Sequence, residues 1–288
     1  MRVIELAIGR CEHDWGTELT GFGRPFGLGF DAARRLHVTD MDRHLLYRFD
    51  ARLDRVEWHD GGSSGWNGPL SVSPNRTSAA APAAAAGWNG PHAVDFGADG
   101  SLYVTCYYGA AIHVLAADGS PVARLGHDIL HGPASAFLNG AGLLMVAEYA
   151  DSAVLLLDTA GHRAGRLRGA FDRPHMARAL PNGTIAVADT WNNRVQRFTS
   201  DGDLLDADWI SPVACPVAVD PADDGRMLVT VWGENIVIAF DPSGQNPGRL
   251  TSPPLDHPYD ARWMGRDVVV ADSHNARVLI LRAPDFRG

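Results

Sequence analysis

The sequence predicts an all-β fold, a six-bladed β-propeller of four-stranded blades, and three observations carry that expectation. One pattern recurs six times along the 288 residues: a proline, a short apolar strand, a turn, then a strand ending in Val-x-acid or a close variant. The six prolines, Pro25, Pro91, Pro133, Pro174, Pro216 and Pro258, stand 66, 42, 41, 42 and 42 residues apart. Gly (31) and Pro (18) punctuate short Val-, Leu-, Ala- and Thr-rich segments, as in an all-β chain rather than a helical one. A unit of this length with four short strands marks a propeller blade, and closing the ring removes exposed sheet edges.

The units read "RPFGLGFDAARRLHVTD", "GPHAVDFGADGSLYVTC", "GPASAFLNGAGLLMVAE", "RPHMARALPNGTIAVAD", "CPVAVDPADDGRMLVTV" and "HPYDARWMGRDVVVAD". From the proline to the second-strand valine is 13 residues in five units (Val38, Val104, Val146, Val187, Val229) and 12 in the last (Val270). A polar turn and a third strand follow, as in "RVQRFTSDG" and "RVLILRA". The last unit stops there, while "MRVIELAIG" opens the chain as a strand without a partner. Residues 2–8 are therefore expected to supply the outer strand of blade six and close the ring. One domain, 1–288, is expected, with an inserted loop at about 60–88.

That insertion makes the first interval about 24 residues longer than the rest. It holds "GWNGPLSV" at 65–72, the run "SAAAPAAAAG", and then "GWNGPHAV" at 87–94, the copy read as the start of blade two. The first copy is either a local duplication without a role or part of a flap, with Trp66 or Trp88 covering a ligand. Insertions this long are often functional or disordered.

Composition excludes several classes. The formal charge is −9, lysine is absent and the arginines are scattered, which opposes a nucleic-acid surface. No window approaches the roughly 18 apolar residues of a spanning helix, and the N-terminus lacks a signal-peptide core. Cys11, Cys106 and Cys215 form no CxxC pair, so neither a disulfide framework nor a zinc ribbon is indicated. The expectation is a cytoplasmic protein that contacts neither membrane nor nucleic acid and acts on a small-molecule or peptide substrate.

Inner strands line a propeller's channel, so equivalent positions form a ring. The residue after each proline reads Phe26, His92, Ala134, His175, Val217 and Tyr259. The large polar groups fall on blades two, four and six, about 120° apart in a six-fold ring. Two imidazoles and a phenol converging on the axis would make an open metal site. Alternatively the histidines are hydrogen-bonded channel residues.

The segments "GTIAVADTWNNRVQRFTSDG" and "RDVVVADSHNARVLILR" resemble NHL repeats. The segments "GPHAV", "RPHMA" and "HPYDA" are similar to those of peptidyl-α-hydroxyglycine α-amidating lyase, a six-bladed propeller that cleaves a carbinolamide. That resemblance implies zinc on His92 and His175, with Tyr259 where the family has its third histidine. It also implies calcium, with Asp260 as carboxylate and the carbonyls of Leu28 and Val94 as further ligands. Met41 stands near the place of the family's catalytic arginine, with Arg43 two residues on, and Tyr149 lies one residue from the place of its catalytic tyrosine. Tyrosine ligates only as phenolate, with an ordinary pKa of about 10. His257 is an alternative third ligand, and imidazole also suits copper or iron.

The second strands end on Asp40, Cys106, Glu148, Asp189, Val231 and Asp272. The aspartates read as turn residues that accept backbone hydrogen bonds. Glu148 and Cys106 break that pattern. Glu148 is the candidate general base, beside Tyr149 and Tyr259 as catalytic groups. Cys106, Tyr107, Trp191, Trp232, His274 and Trp88 are the candidate substrate-binding residues. Three functions remain open: a metal-dependent, lyase-like propeller enzyme; a metal-free one that cyclises or condenses an aromatic or apolar substrate; and a non-catalytic NHL scaffold.

Overall fold

The computed structural model describes residues 8–14, 16–62, 66–71, 73–74, 88–245, 247–250, 252–282 and 286–287. Each repeat forms one antiparallel sheet. Blade two is typical, running Pro91–Phe96, Leu102–Cys106, Ala111–Leu115 and Pro121–Leu125 from the axis outward. The inner strands of successive blades pack in turn around the axis, and Pro258–Met264 of blade six packs back on Pro25–Phe30 of blade one. The fold is an all-β six-bladed propeller. Among the described residues the two helices are three-residue 3-10 turns, and none is long and apolar enough to cross a membrane.

The ring closes with an N-terminal strand, but the segment differs from the expected 2–8. Gly16–Thr20 pairs with Arg277–Leu281 as the fourth strand of blade six, from Gly16 opposite Leu281 to Thr20 opposite Arg277. Residues 2–7 lie outside the described residues. Gly9–His13 adds a further strand beyond Gly16–Thr20.

The duplicated segment likewise has a position. Asn67–Ser71 pairs with Arg55–His59 as a fifth strand on the outer edge of blade one. Trp66 and Trp88 flank His59, with ring centroids 5.7 and 5.0 Å away. Arg48 lies 3.9 Å from the Trp66 ring. A Cβ on Gly61 would stand 2.5 Å from Trp88 and one on Gly119 2.7 Å from Trp66, and both glycines have positive φ. The two tryptophans therefore wedge the joint between blades one and two, and neither covers the channel. Residues 63–65, 72 and 75–87 of the expected insertion lie outside the described residues.

The motif Val-Ala-Asp…Asn-x-Arg acquires a physical reason in blades four and six. Buried Asp189 accepts from the Asp172 N–H and from the side chains of Asn192, Arg194 and Gln196. Buried Asp272 does the same with the Asp256 N–H, Asn275 and Arg277. Asp40 takes the N–H groups of Gly23, Arg24 and Arg43. Each carboxylate thus fixes the loop that delivers the next inner strand, as buried backbone donors require a partner. Between the sheets lies a core of residues such as Phe137, Met176, Phe198 and Val229. Fully burying one such side chain contributes roughly 1.5–3 kcal/mol.

One irregularity of the inner strands positions the site. In blades two, three, five and six the strand ladder skips the residue after the proline, leaving His92, Ala134, Val217 and Tyr259 unpaired. In blade one it skips Phe26 and Gly27. A bulge of this kind bends the strand and re-aims the extra side chain. In blade four the regular strand begins only at Met176, although the His175 N–H still reaches the Ala188 carbonyl at 3.0 Å.

Candidate functional site

Five of the six residues after the repeat prolines, Phe26, His92, His175, Val217 and Tyr259, meet at the floor of a cavity of about 250 Å³ at one end of the channel. His92 and His175, from blades two and four, stand with ring centroids 4.8 Å apart. Tyr259 lies 5.5 Å from His175 and 6.1 Å from His92. It stacks on Phe26 at 3.8 Å. The walls are aromatic: Tyr107, Tyr108, Tyr149, Trp191 and Trp232 all line the cavity. Trp191 donates its indole N–H to the Tyr149 hydroxyl at 3.0 Å, and Arg173 lies over both rings.

Burial decides the charge state of the floor. His175 is pushed down to about 4 by desolvation. His92 falls well below the ordinary value through desolvation and the neighbouring His175. Both imidazoles are therefore neutral at pH 7. His92 donates Nδ1–H to the Ala134 carbonyl at 2.8 Å, leaving Nε2 as its lone-pair nitrogen. His175 faces the equivalent carbonyl, that of Val217, but its Nδ1 is buried without a formed hydrogen bond. Desolvation raises the Tyr259 phenol to about 12, so it keeps its proton.

The implied metals fit unequally. Neutral imidazoles are metal ligands, and the carbonyl partner of His92 is the usual support for one. The two histidines fit a divalent transition metal, and Tyr259, a neutral phenol in the metal-free site, would have to surrender its proton to the cation to be a third ligand. The calcium set fits in part: Asp260 Oδ1 is buried without a hydrogen-bond partner. Asp260 Oδ2 accepts from the Leu28 N–H at 2.9 Å and from Arg262 Nε at 3.0 Å. Arg262 already neutralises this oxygen of the carboxylate, and the Leu28 N–H engages it as well. Val94 is packed in the core of blade two.

Other sequence-derived candidates lie away from the cavity. Glu148 is fully buried and accepts from the Gly132 N–H at 2.5 Å and the His131 N–H at 3.2 Å. It does in blade three what aspartate does in blades one, four and six, and it does not line the cavity. Cys106 is sealed among Leu46, Trp88 and Val94, and burial raises its thiol to about 12. Trp88 belongs to the same apolar cluster. His274 sits on the rim, stacked on His257 at 4.3 Å. The sequence reading missed Arg24 and Cys215, which line the cavity. Both immediately precede a repeat proline, and that position was the available signal. Arg24 pairs with Asp42 and lies 5.5 Å from the Phe26 ring.

A second ring, three residues further along the inner strands, also escaped the sequence reading. It consists of Gly29, Asp95, Phe137, Arg178, Asp220 and Arg262. Arg262 bonds Asp220 Oδ1 at 3.0 Å, and Arg178 approaches the same oxygen at 3.4 Å. Burial lowers the Arg262 pKa, but Asp260 and Asp220 outweigh it and raise the group above its ordinary value.

Residues 171–198 match the family model of the NHL repeat. The chain is thus a six-bladed propeller with an NHL-type repeat. No curated protein sequence is significantly similar to it. Among solved structures it resembles a gluconolactonase from Xanthomonas campestris, with a TM-score of 0.66 at 16% identity, over 98% of this chain and 99% of that one. It resembles a streptogramin B lyase, with a TM-score of 0.64 at 15% identity, over 91% and 94% of the two chains. It also resembles the WD40 propeller domain of Doa1, with a TM-score of 0.63 at 13% identity, over 91% and 94%. Similarity at these identities is similarity of fold, and the fold hosts more than one function.

Proposed function

We propose that this protein is a propeller enzyme of the lyase type, acting on a small substrate at the aromatic mouth of its channel. The observation that carries the reading is the pair of neutral imidazoles, 4.8 Å apart, on the floor of an aromatic cavity. Neutral His92, its tautomer fixed by the Ala134 carbonyl, is the general base at Nε2. It takes a proton from the substrate; that electron pair forms the new double bond, and a C–N or C–O bond breaks. The leaving atom receives its proton from the Tyr259 phenol, which stays protonated at neutral pH. Tyr107, Tyr149 and Trp191 hold the substrate's apolar face. If His92 and His175 instead hold a divalent transition metal, zinc in the first instance, His92 Nε2 is a ligand and not the base, and the ion would polarise a substrate oxygen as a Lewis acid.

The structural neighbours support the choice of probes. Their names point to streptogramin B and to a gluconic lactone, and the sequence resemblance points to carbinolamides. The test is turnover of quinupristin, a sugar lactone and a carbinolamide by wild type, His92→Ala and His175→Ala, each with and without chelator. The expected result is cleavage of one probe that falls about 10²–10⁴-fold in His92→Ala. Turnover of a probe unchanged in both variants would overturn the reading. Turnover that survives chelation and complete metal removal would make it metal-free.

A further inference from the structure

We propose that Asp256, His257 and His274 form a second divalent-cation site, on the rim of blade six, distinct from the axial histidine pair. Each offers one ligand atom, and these atoms all lie within 4.8 Å of one another. Among the described residues no other three His, Cys, Asp or Glu side chains bring such atoms so close. Asp256 Oδ1 and His257 Nδ1 are 2.5 Å apart, and the two imidazoles stack at 4.3 Å with 29° between their planes. Blade three places His131 and Asp151 in a comparable loop pair, 2.6 Å apart, but it lacks a second imidazole.

The backbones that carry the three groups are tied together without any ion. The His274 N–H donates to the Asp256 carbonyl at 3.1 Å. The Asp256 N–H donates to Asp272, and the His257 N–H to Asn235 of the neighbouring blade, at 2.7 and 2.8 Å. His257 is further fixed in a left-handed conformation, φ +47°, immediately before Pro258. Loops pinned in this way lose little further freedom when a cation binds. Two imidazoles and one carboxylate select a first-row ion such as Zn²⁺ over Ca²⁺ or Mg²⁺. Three protein donors leave a coordination position for water or a substrate group. Trp232 packs on His257 at 4.5 Å and lines the cavity, so an ion here stands beside the mouth.

The test is Zn²⁺ titration of the chelator-stripped full-length chain against a chromophoric chelator. Wild type is compared with His274→Ala, Asp256→Asn, His257→Asn and His92→Ala/His175→Ala. Asparagine at 257 tolerates the left-handed backbone and keeps the fold. The expected result is a Zn²⁺ equivalent, separate from any held by the axial pair, whose affinity falls at least about tenfold in each rim variant and is unchanged in the axial double variant. Co²⁺ in place of Zn²⁺ should give a visible absorption band that the rim variants lose. Zn²⁺ uptake equal in wild type and all three rim variants would overturn the proposal, as would no uptake by wild type. Loss confined to the axial variant would overturn it too, while upholding metal at the channel floor.

Discussion

At the mouth of the channel, four of the six residues after the repeat prolines, Phe26, His92, His175 and Tyr259, are aromatic or imidazole groups, and the imidazoles and the phenol are neutral. Three positions further along the same strands, Asp95, Arg178, Asp220 and Arg262 form an ionic belt, Asp220 and Arg262 buried and Asp95 and Arg178 half-buried. The belt's acids also bind backbone N–H groups of the next blade: Asp95 that of Leu138, at 2.7 Å, and Asp220 that of Trp263, at 2.9 Å. Asp260 reaches across the closure to Leu28. These carboxylates lie on blades two, five and six, and each one staples its blade to the following one. The mouth has unpaired nitrogen and exposed aromatic surface, whereas the belt spends its polar groups on one another. One strand, read at two depths, serves chemistry at one and ring closure at the other.

The sharpest test of that contrast is Arg262→Met. It leaves buried Asp260 without its cation and Asp220 with Arg178 alone, at 3.4 Å, which costs about 3–5 kcal/mol. Urea denaturation should show this loss, while probe turnover at the mouth persists under native conditions. A loss below about 1 kcal/mol would mean that the carboxylates are relieved by protonation and that the belt does not hold the ring.

A second comparison sets two tryptophans against each other. Trp88, 4% exposed and wedged against His59, should cost about 3–5 kcal/mol on truncation to alanine, with KM unchanged. Trp191, 47% exposed on the cavity wall, should cost under about 0.5 kcal/mol on truncation, but raise KM. An unchanged KM in Trp191→Ala would remove the aromatic wall from substrate binding.

These pairs also show what the sequence could convey. The repeat period specified the blade count, the inner strands and the convergence of His92 with His175, because spacing maps directly onto rotation about the axis. It did not separate Trp66 and Trp88 from a ligand flap, since a tryptophan after glycine reads alike in a blade joint and over a pocket. It did not distinguish Gly16–Thr20 from residues 2–8 as the closing strand, because both are short and follow no repeat proline. The belt was hidden for another reason. Its six positions mix Gly, Phe, Asp and Arg, and their pairing becomes visible only when residues 42 apart are brought face to face.

Glu148 tests the same limit from the other side. Its departure from aspartate looked chemical, yet its partners are the backbone donors of His131 and Gly132. Glu148→Ala should cost about 1–3 kcal/mol by orphaning them, whereas Glu148→Asp should recover most of that. If Glu148→Gln folded with wild-type stability yet lost turnover, the general-base role would return to this residue.

The smallest effect concerns protons at the mouth. His175 has a folded value of about 4 against an ordinary 6.5, so below pH 6.5 the unfolded chain binds a proton that the folded chain refuses. Stability from this group is therefore present above pH 6.5 and is lost as pH falls toward 4. At pH 5.5 the loss is about 1 kcal/mol. His37 and His113 are depressed to about 4 as well, so the whole chain weakens in acid. Comparing wild type with His175→Gln subtracts them: melting temperatures from pH 7 to 5.5 should fall more steeply in wild type. Equal slopes would mean that the folded mouth accepts the proton, and the contrast between a neutral mouth and a charged belt would fail. In the same window the rate should keep its plateau through pH 6.5, because a base with a depressed pKa stays unprotonated where an ordinary histidine would not.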